Sequence, residues 1–227
     1  FKSQQHRWAK GSIQTCKKML GTVWRSDMPL IIKLEATAHL TSNFAYLLLI
    51  FLLILIFPGM MPAMTWGRAL LLDIPIFFMA SVSVGAFYMC SQMALYPKGK
   101  WIREVMLLPM LLALGIGMSI NNGRAVIEAI FNRESDFVRT PKYGIERKRQ
   151  DWSKSSYRAL KSFAPLVEVA LAFYFTFLVV YCLLNGMWMS VPFMMLFQVG
   201  FFYVSWDSLR AAFSFRGSEA EPVSVQS

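Results

Sequence analysis

The chain has 227 residues, 56% of them hydrophobic and only 16% charged, with 23 Lys and Arg against 13 Asp and Glu for a net charge of +10. Its mean hydropathy is +0.45. About a quarter of a soluble domain's residues carry charge, so the balance excludes an ordinary soluble domain and points to lipid as solvent. The basic excess flanks apolar runs, as it does in proteins seated at anionic headgroups, and nucleic acid is excluded as a partner.

Asp, Glu, Lys and Arg are all missing from residues 36–67, 74–97, 105–123 and 169–206. A helix needs about 20 apolar residues to cross a bilayer. Lipid offers no partner to an exposed backbone group, so such runs cross as helices. The expected fold class is an all-α integral membrane protein of about four transmembrane helices plus amphipathic interfacial helices. No stretch is long enough for a catalytic α/β domain, which is expected to be absent from this chain.

Residues 1–33 hold seven Lys or Arg against the single acid Asp27 and are predicted to form one or two cytosolic interfacial helices. Trp8, Ile13, Met19, Leu20, Val23 and Trp24 are expected to share a broad apolar face, leaving Lys10, Lys17, Lys18 and Arg25 to phosphates or water. Residues 34–95 are predicted to be a first transmembrane pair, with spans at about 40–57 and 70–95. Pro58-Gly59 closes the first span, and Pro75 and Asp73 lie in the second. Residues 96–131 open with a basic turn anchored by Trp101. A crossing helix here would put the following basic loop outside, so an interfacial or re-entrant helix is expected, with a further span as the alternative.

Residues 132–162 form a cytosolic loop with nine bases against four acids. A second transmembrane pair at 163–207 is joined at Asn185-Gly186, a tight-turn signal that makes its helices antiparallel. The tail 208–227 is polar and cytosolic. Basic segments beside spans stay inside, so both ends are expected in the cytosol of a multi-pass protein, in a bacterial inner membrane. Glu168 and Asp73 are acids near span ends, expected to snorkel or to pair with a neighbour such as Arg68. Cys16, Cys90 and Cys182 show no metal spacing, and His6 and His39 read as structural or interfacial. The chain starts at Phe1 on polar, basic residues unlike a signal peptide, and it is expected to be a C-terminal fragment.

The chemistry-bearing cluster is Gln4-Gln5-His6-Arg7-Trp8. An indole offers an apolar face to a pyranose, an amide binds hydroxyls, and a guanidinium pairs with diphosphate oxygens. An ordinary interfacial helix with a Trp anchor has the same residues. Gln4-x-x-Arg7-Trp8 resembles the Q-x-x-R-W motif of processive family-2 glycosyltransferases, the cellulose synthase-like group. The string Ser3 to Gly11, SQQHRWAKG, is especially similar to its glucan and mannan synthase-like members. Phe137-Val138-Arg139-Thr140-Pro141-Lys142 is similar to that family's F-x-V-T-x-K gating loop, with Arg139 standing where the pattern has Val.

The resemblance implies that Trp8 stacks on the acceptor sugar, with Gln4 and Arg7 forming the acceptor and diphosphate site. It implies that Phe137, Thr140 and Lys142 close over the nucleotide. It also implies a nucleotide sugar and a glycan acceptor as partners, beside the lipid bilayer and the missing catalytic domain of the same polypeptide. A divalent metal, Mg or Mn, is expected upstream in that domain. No D-x-D motif occurs in this chain, so no metal site and no catalytic residue are assigned to it. The alternative is a non-enzymatic membrane transporter or scaffold subunit.

Overall fold

The computed structural model describes residues 1–60, 74–96, 99–133 and 163–218. The elements are α1 (Lys2–Arg25), α2 (Leu30–Thr41), a 3₁₀ turn (Ser42–Phe44), α3 (Ala45–Met60), α4 (Ile74–Leu95), α5 (Trp101–Met106), α6 (Leu108–Gly117), α7 (Ser119–Ile130), α8 (Ala164–Leu184) and α9 (Val191–Ser218). No strand occurs among the described residues, as the composition predicts.

Two rods are long and apolar enough to cross a bilayer: Leu30–Met60, running through α2, the 3₁₀ turn and α3, and α8. At 1.5 Å per residue they reach about 46 Å and 31 Å, against a hydrocarbon core of about 30 Å. The first starts well before residue 40, because the exposed Leu30, Ile31, Ile32 and Leu34 extend its apolar surface toward the N-terminus. The stretch expected to be interfacial or re-entrant is broken into α5, α6 and α7, with a bend of 45° before α7. Taken as one bent span, it raises the number of candidates to three. Helices α4 and α9 form where the second and fourth spans are expected.

The chain divides into two compact units. The first comprises Phe1–Leu47, Met118–Val169 and Val204–Ser227; the second comprises Leu48–Gly117 and Ala170–Tyr203. In the first, α1 is one continuous helix whose buried residues are Ala9, Lys10, Ile13 and Cys16. Ile13 packs with Val126 and Ala129 of α7, covered by Phe44 and Leu47. The small Gly123, Ala125 and Ala129 on the buried face of α7 let the helices approach closely.

The broad apolar face expected for α1 is not formed. At about 100° per residue, Trp8 and Ile13 are about 140° apart while Trp8 and Met19 differ by about 20°. Ile13 is buried while Trp8 and Met19, on another side, are exposed; Trp24 is exposed too, although it shares the angle of Ile13. Trp24 Nε1 donates to Thr37 Oγ1 at 3.0 Å, and Lys33 Nζ to the Trp24 carbonyl at 3.2 Å, tying α2 to α1.

Helix α7 ends with Asn132 at φ +52°. The Arg133 amide bonds the Glu128 carbonyl at 2.9 Å and the Asn132 amide the Ala129 carbonyl at 3.3 Å, the Schellman pattern. Lys17 completes this end, donating to the carbonyls of Ala129 and Ile130 at 3.2 and 2.9 Å and to Asn132 Oδ1 at 2.6 Å. A cation is favoured at a helix C-terminus. Lys17 is exposed, so it closes the end of α7 while staying open to water.

In the second unit, α8 closes at Gly186, φ +70°, with Met187 N to Cys182 O at 2.8 Å and Gly186 N to Leu183 O at 3.4 Å. A left-handed residue is required there, which glycine adopts without strain. The hairpin expected at Asn185-Gly186 is thus present, and its helices are antiparallel. Phe175 stacks on Phe197 and Phe201 at 4.8 and 5.8 Å, and Gln198 Nε2 donates to Thr176 Oγ1 at 3.0 Å. Of the aromatics and Met expected to face lipid or pack the bundle, Met194, Phe197 and Phe201 are buried, while Met195, Phe202 and Tyr203 are exposed. Phe57 of α3 meets Phe177 and Tyr181 edge-on at 5.6 and 5.5 Å. A Cβ on Gly200 would overlap the Ala113 carbonyl oxygen and lie 3.2 Å from the Gly117 amide nitrogen. The backbones of α9 and α6 meet where Gly200 leaves no room for a side chain.

Candidate functional site

Helix α1 organises the candidate site. Residues three and four apart on a helix are surface neighbours, so Gln4, Arg7 and Trp8 lie within an arc of about 100°. Gln4 and Arg7 are half-buried, and Trp8 is 63% exposed. The buried stripe of Ala9, Ile13 and Cys16 lies about 80–140° round the helix from Trp8. Gln4, four residues before Trp8, is its neighbour on the helix surface, and Arg7 lies about 100° round the helix from Trp8.

A second cluster fixes the helix that bears them. Glu128 of α7 accepts from Arg124 Nε at 2.8 Å, one helical turn away. His6 Nε2 lies 3.4 Å and Lys10 Nζ 3.5 Å from its other oxygen. Lys10, expected to face phosphates or water, is instead buried against this carboxylate. Burial pushes the His6 imidazole below its ordinary value. Glu128 pulls it up, but the charges of Arg124 and Lys10 work with burial. Burial pushes the Glu128 carboxyl up, yet the Arg124 hydrogen bond and the charges of His6, Arg124 and Lys10 outweigh it and hold the group below its ordinary value. At neutral pH the cluster is a carboxylate facing two permanent cations and a mostly neutral imidazole.

The first turn of α1 is held separately. Asn121 Nδ2 donates to the Lys2 carbonyl at 3.0 Å. The Lys2 ammonium meets both carboxylate oxygens of Glu168 at 2.7 Å. Of the two expectations for Glu168, snorkelling or pairing with a neighbour, the structure shows pairing, with Lys2 as the partner. The Glu168 side chain is 0% exposed, because it lies inside the first unit where a cation from a distant segment reaches it. Asp73, Arg68 and the gating-loop residues Phe137, Arg139, Thr140 and Lys142 lie outside the described residues.

Sequence reasoning singled out Gln4, Arg7 and Trp8 and passed over Lys2, Asn121 and Glu128. Arg124 and Glu128 stand at the i,i+4 spacing of a helical ion pair, which was a usable signal. Nothing local announces the contacts of Lys2. Among the described residues no three His, Cys, Asp or Glu come together to hold a metal. The divalent ion that the resemblance implies is expected upstream of these residues. Comparison with family models, with curated proteins and with solved structures finds no match for this chain.

Proposed function

We propose that the chain is the membrane region of a processive family-2 glycosyltransferase, which moves a sugar from a nucleotide sugar to the end of a growing β-linked glycan. The observation that carries this is the outward face of α1. Trp8 is exposed with Gln4 and Arg7 beside it, while charged contacts on other sides of the helix hold it in place.

In this proposal the indole stacks on the terminal pyranose, and Gln4 hydrogen-bonds its hydroxyls. One hydroxyl of that sugar attacks the anomeric carbon of the donor, the bond to the diphosphate breaks, and Arg7 pairs with the departing oxygens. A general base and a divalent metal, Mg or Mn, belong to an α/β domain elsewhere in the polypeptide. Phe137, Thr140 and Lys142 close over the nucleotide. Four spans, the Leu30–Met60 rod, α4, α8 and α9, line a path for the product, with α5 to α7 re-entrant. The basic loops place both ends in the cytosol of a bacterial inner membrane.

The test is nucleotide release by the full polypeptide in lipid, offered UDP- and GDP-sugars in turn. One donor should support turnover, and Trp8→Ala should reduce it by on the order of a hundredfold, since positioning of the acceptor is lost. Turnover unchanged by Trp8→Ala, or absent with every donor in a folded protein, would overturn the proposal.

A further inference from the structure

The oxygens around the Lys2 ammonium come from two other helices. Both carboxylate oxygens of Glu168, on α8, lie 2.7 Å from Nζ. The Val204 carbonyl, on α9, is at 3.4 Å, and the Ser208 hydroxyl, also on α9, is in direct contact. Ser208 Oγ is in turn 2.9 Å from Glu168 Oε2. Ser208 Oγ is also 2.9 Å from the Val204 carbonyl, so its single hydrogen goes to one of these two acceptors while its oxygen accepts from Lys2.

Glu168 is fully enclosed while the lysine side chain is 25% exposed. A carboxylate without water is strongly destabilised unless a cation sits against it. Among the described residues Lys2 is the base bonded to it. Oxygens at this distance suit the three donors of an ammonium. Calcium and magnesium require closer oxygens, at about 2.3–2.6 and 2.0–2.1 Å.

We infer that Glu168, Ser208 and the Val204 carbonyl form an ammonium-binding site on α8 and α9, and that Lys2 fills it as a tethered cation which sets the position of α1. Gln4, Arg7 and Trp8 follow Lys2 within two turns of the same helix. The ammonium therefore fixes where the outward trio stands, and Lys2 is a positioning residue. Its effect on catalysis rests on the proposed glycosyltransfer; the site itself does not.

Chemical rescue tests this. The full polypeptide in bilayer nanodiscs is compared with Lys2→Ala by amide hydrogen exchange. The first two turns of α1 should exchange on the order of tenfold faster in the variant, because a buried charge has lost its partner. Methylammonium, small enough for the vacated place, should restore protection, and tetramethylammonium, which has no N–H to donate, should not. Ser208→Ala removes one neutral ligand and should give a smaller rise, which keeps the test decisive if Lys2→Ala misfolds. Unaltered exchange in either folded variant, or equal rescue by both amines, would overturn the inference.

Where turnover is measurable, Lys2→Ala should raise KM for the acceptor several-fold with a smaller change in kcat, and methylammonium should reverse it. Normal exchange behaviour without any turnover in the unaltered protein would remove the glycosyltransferase proposal and leave the site standing.

Discussion

The two units hold together by different physics. In the first, α1 is bound through directional charged contacts: Lys2 to Glu168, His6 and Lys10 to Glu128, Lys17 to the end of α7. In the second, the contacts are stacked rings around Phe175 and the backbone approach at Gly200. Ring stacking and close backbone approach depend on shape and not on protonation, whereas charged contacts depend on the protonation of both partners. The first unit should therefore respond to pH and the second should not.

The largest expected effect is in the second unit. Phe175→Ala removes the ring that two others stack on and leaves a cavity, lowering thermal stability by about 3 kcal/mol. That loss should be the same at acid and neutral pH, and a pH-dependent loss would break the comparison.

Next, Glu128→Gln leaves Arg124, Lys10 and His6 facing one another without their counter-charge. It should weaken docking of α1 by about 1–2 kcal/mol, read as faster amide exchange in α1 with α8 unaffected.

The smallest effect is acid loosening. The His6 imidazole is held below its ordinary 6.5 in the folded protein, so the undocked helix binds protons more readily. Docking of α1 is unweakened at neutral pH and weakens as pH falls through about 6.5. Glu128, held below its ordinary 4.5, adds a second loss at lower pH. The protection of α1, corrected for the pH dependence of intrinsic exchange, should fall as pH drops below about 6.5, and His6→Gln should flatten that step. A step that persists in the variant would assign it to another group.

Much of the fold was legible because its signals are local. The charge-free run 169–206 and the Asn185-Gly186 pair predicted the α8–α9 hairpin from adjacent residues. The Leu30–Met60 rod was recognised but begun too late, since Lys33 and Glu35 interrupt the apolar run although the helix continues beneath them. The expected face of α1 failed on phase. Trp8 and Ile13 were grouped by hydrophobicity, whereas helical angle separates them and the small Ala9 and Cys16 set which side α7 approaches. The Lys2–Glu168 pair joins residues 166 apart, and one sequence gives no reason to match that lysine with that acid. The outward trio was legible only as a motif; its exposure came from knowing which side of α1 is covered.

The turn at Gly186 also sets an order of assembly. Closing a chain becomes harder as the intervening segment lengthens, and α8 meets α9 across a few residues while Lys2 must find Glu168 across nearly the whole chain. The hairpin zips first, and its two helices together create the place that the ammonium enters. Within this chain, α1 leaves the ribosome before either of them. Of these three helices, the one made first is the last one seated.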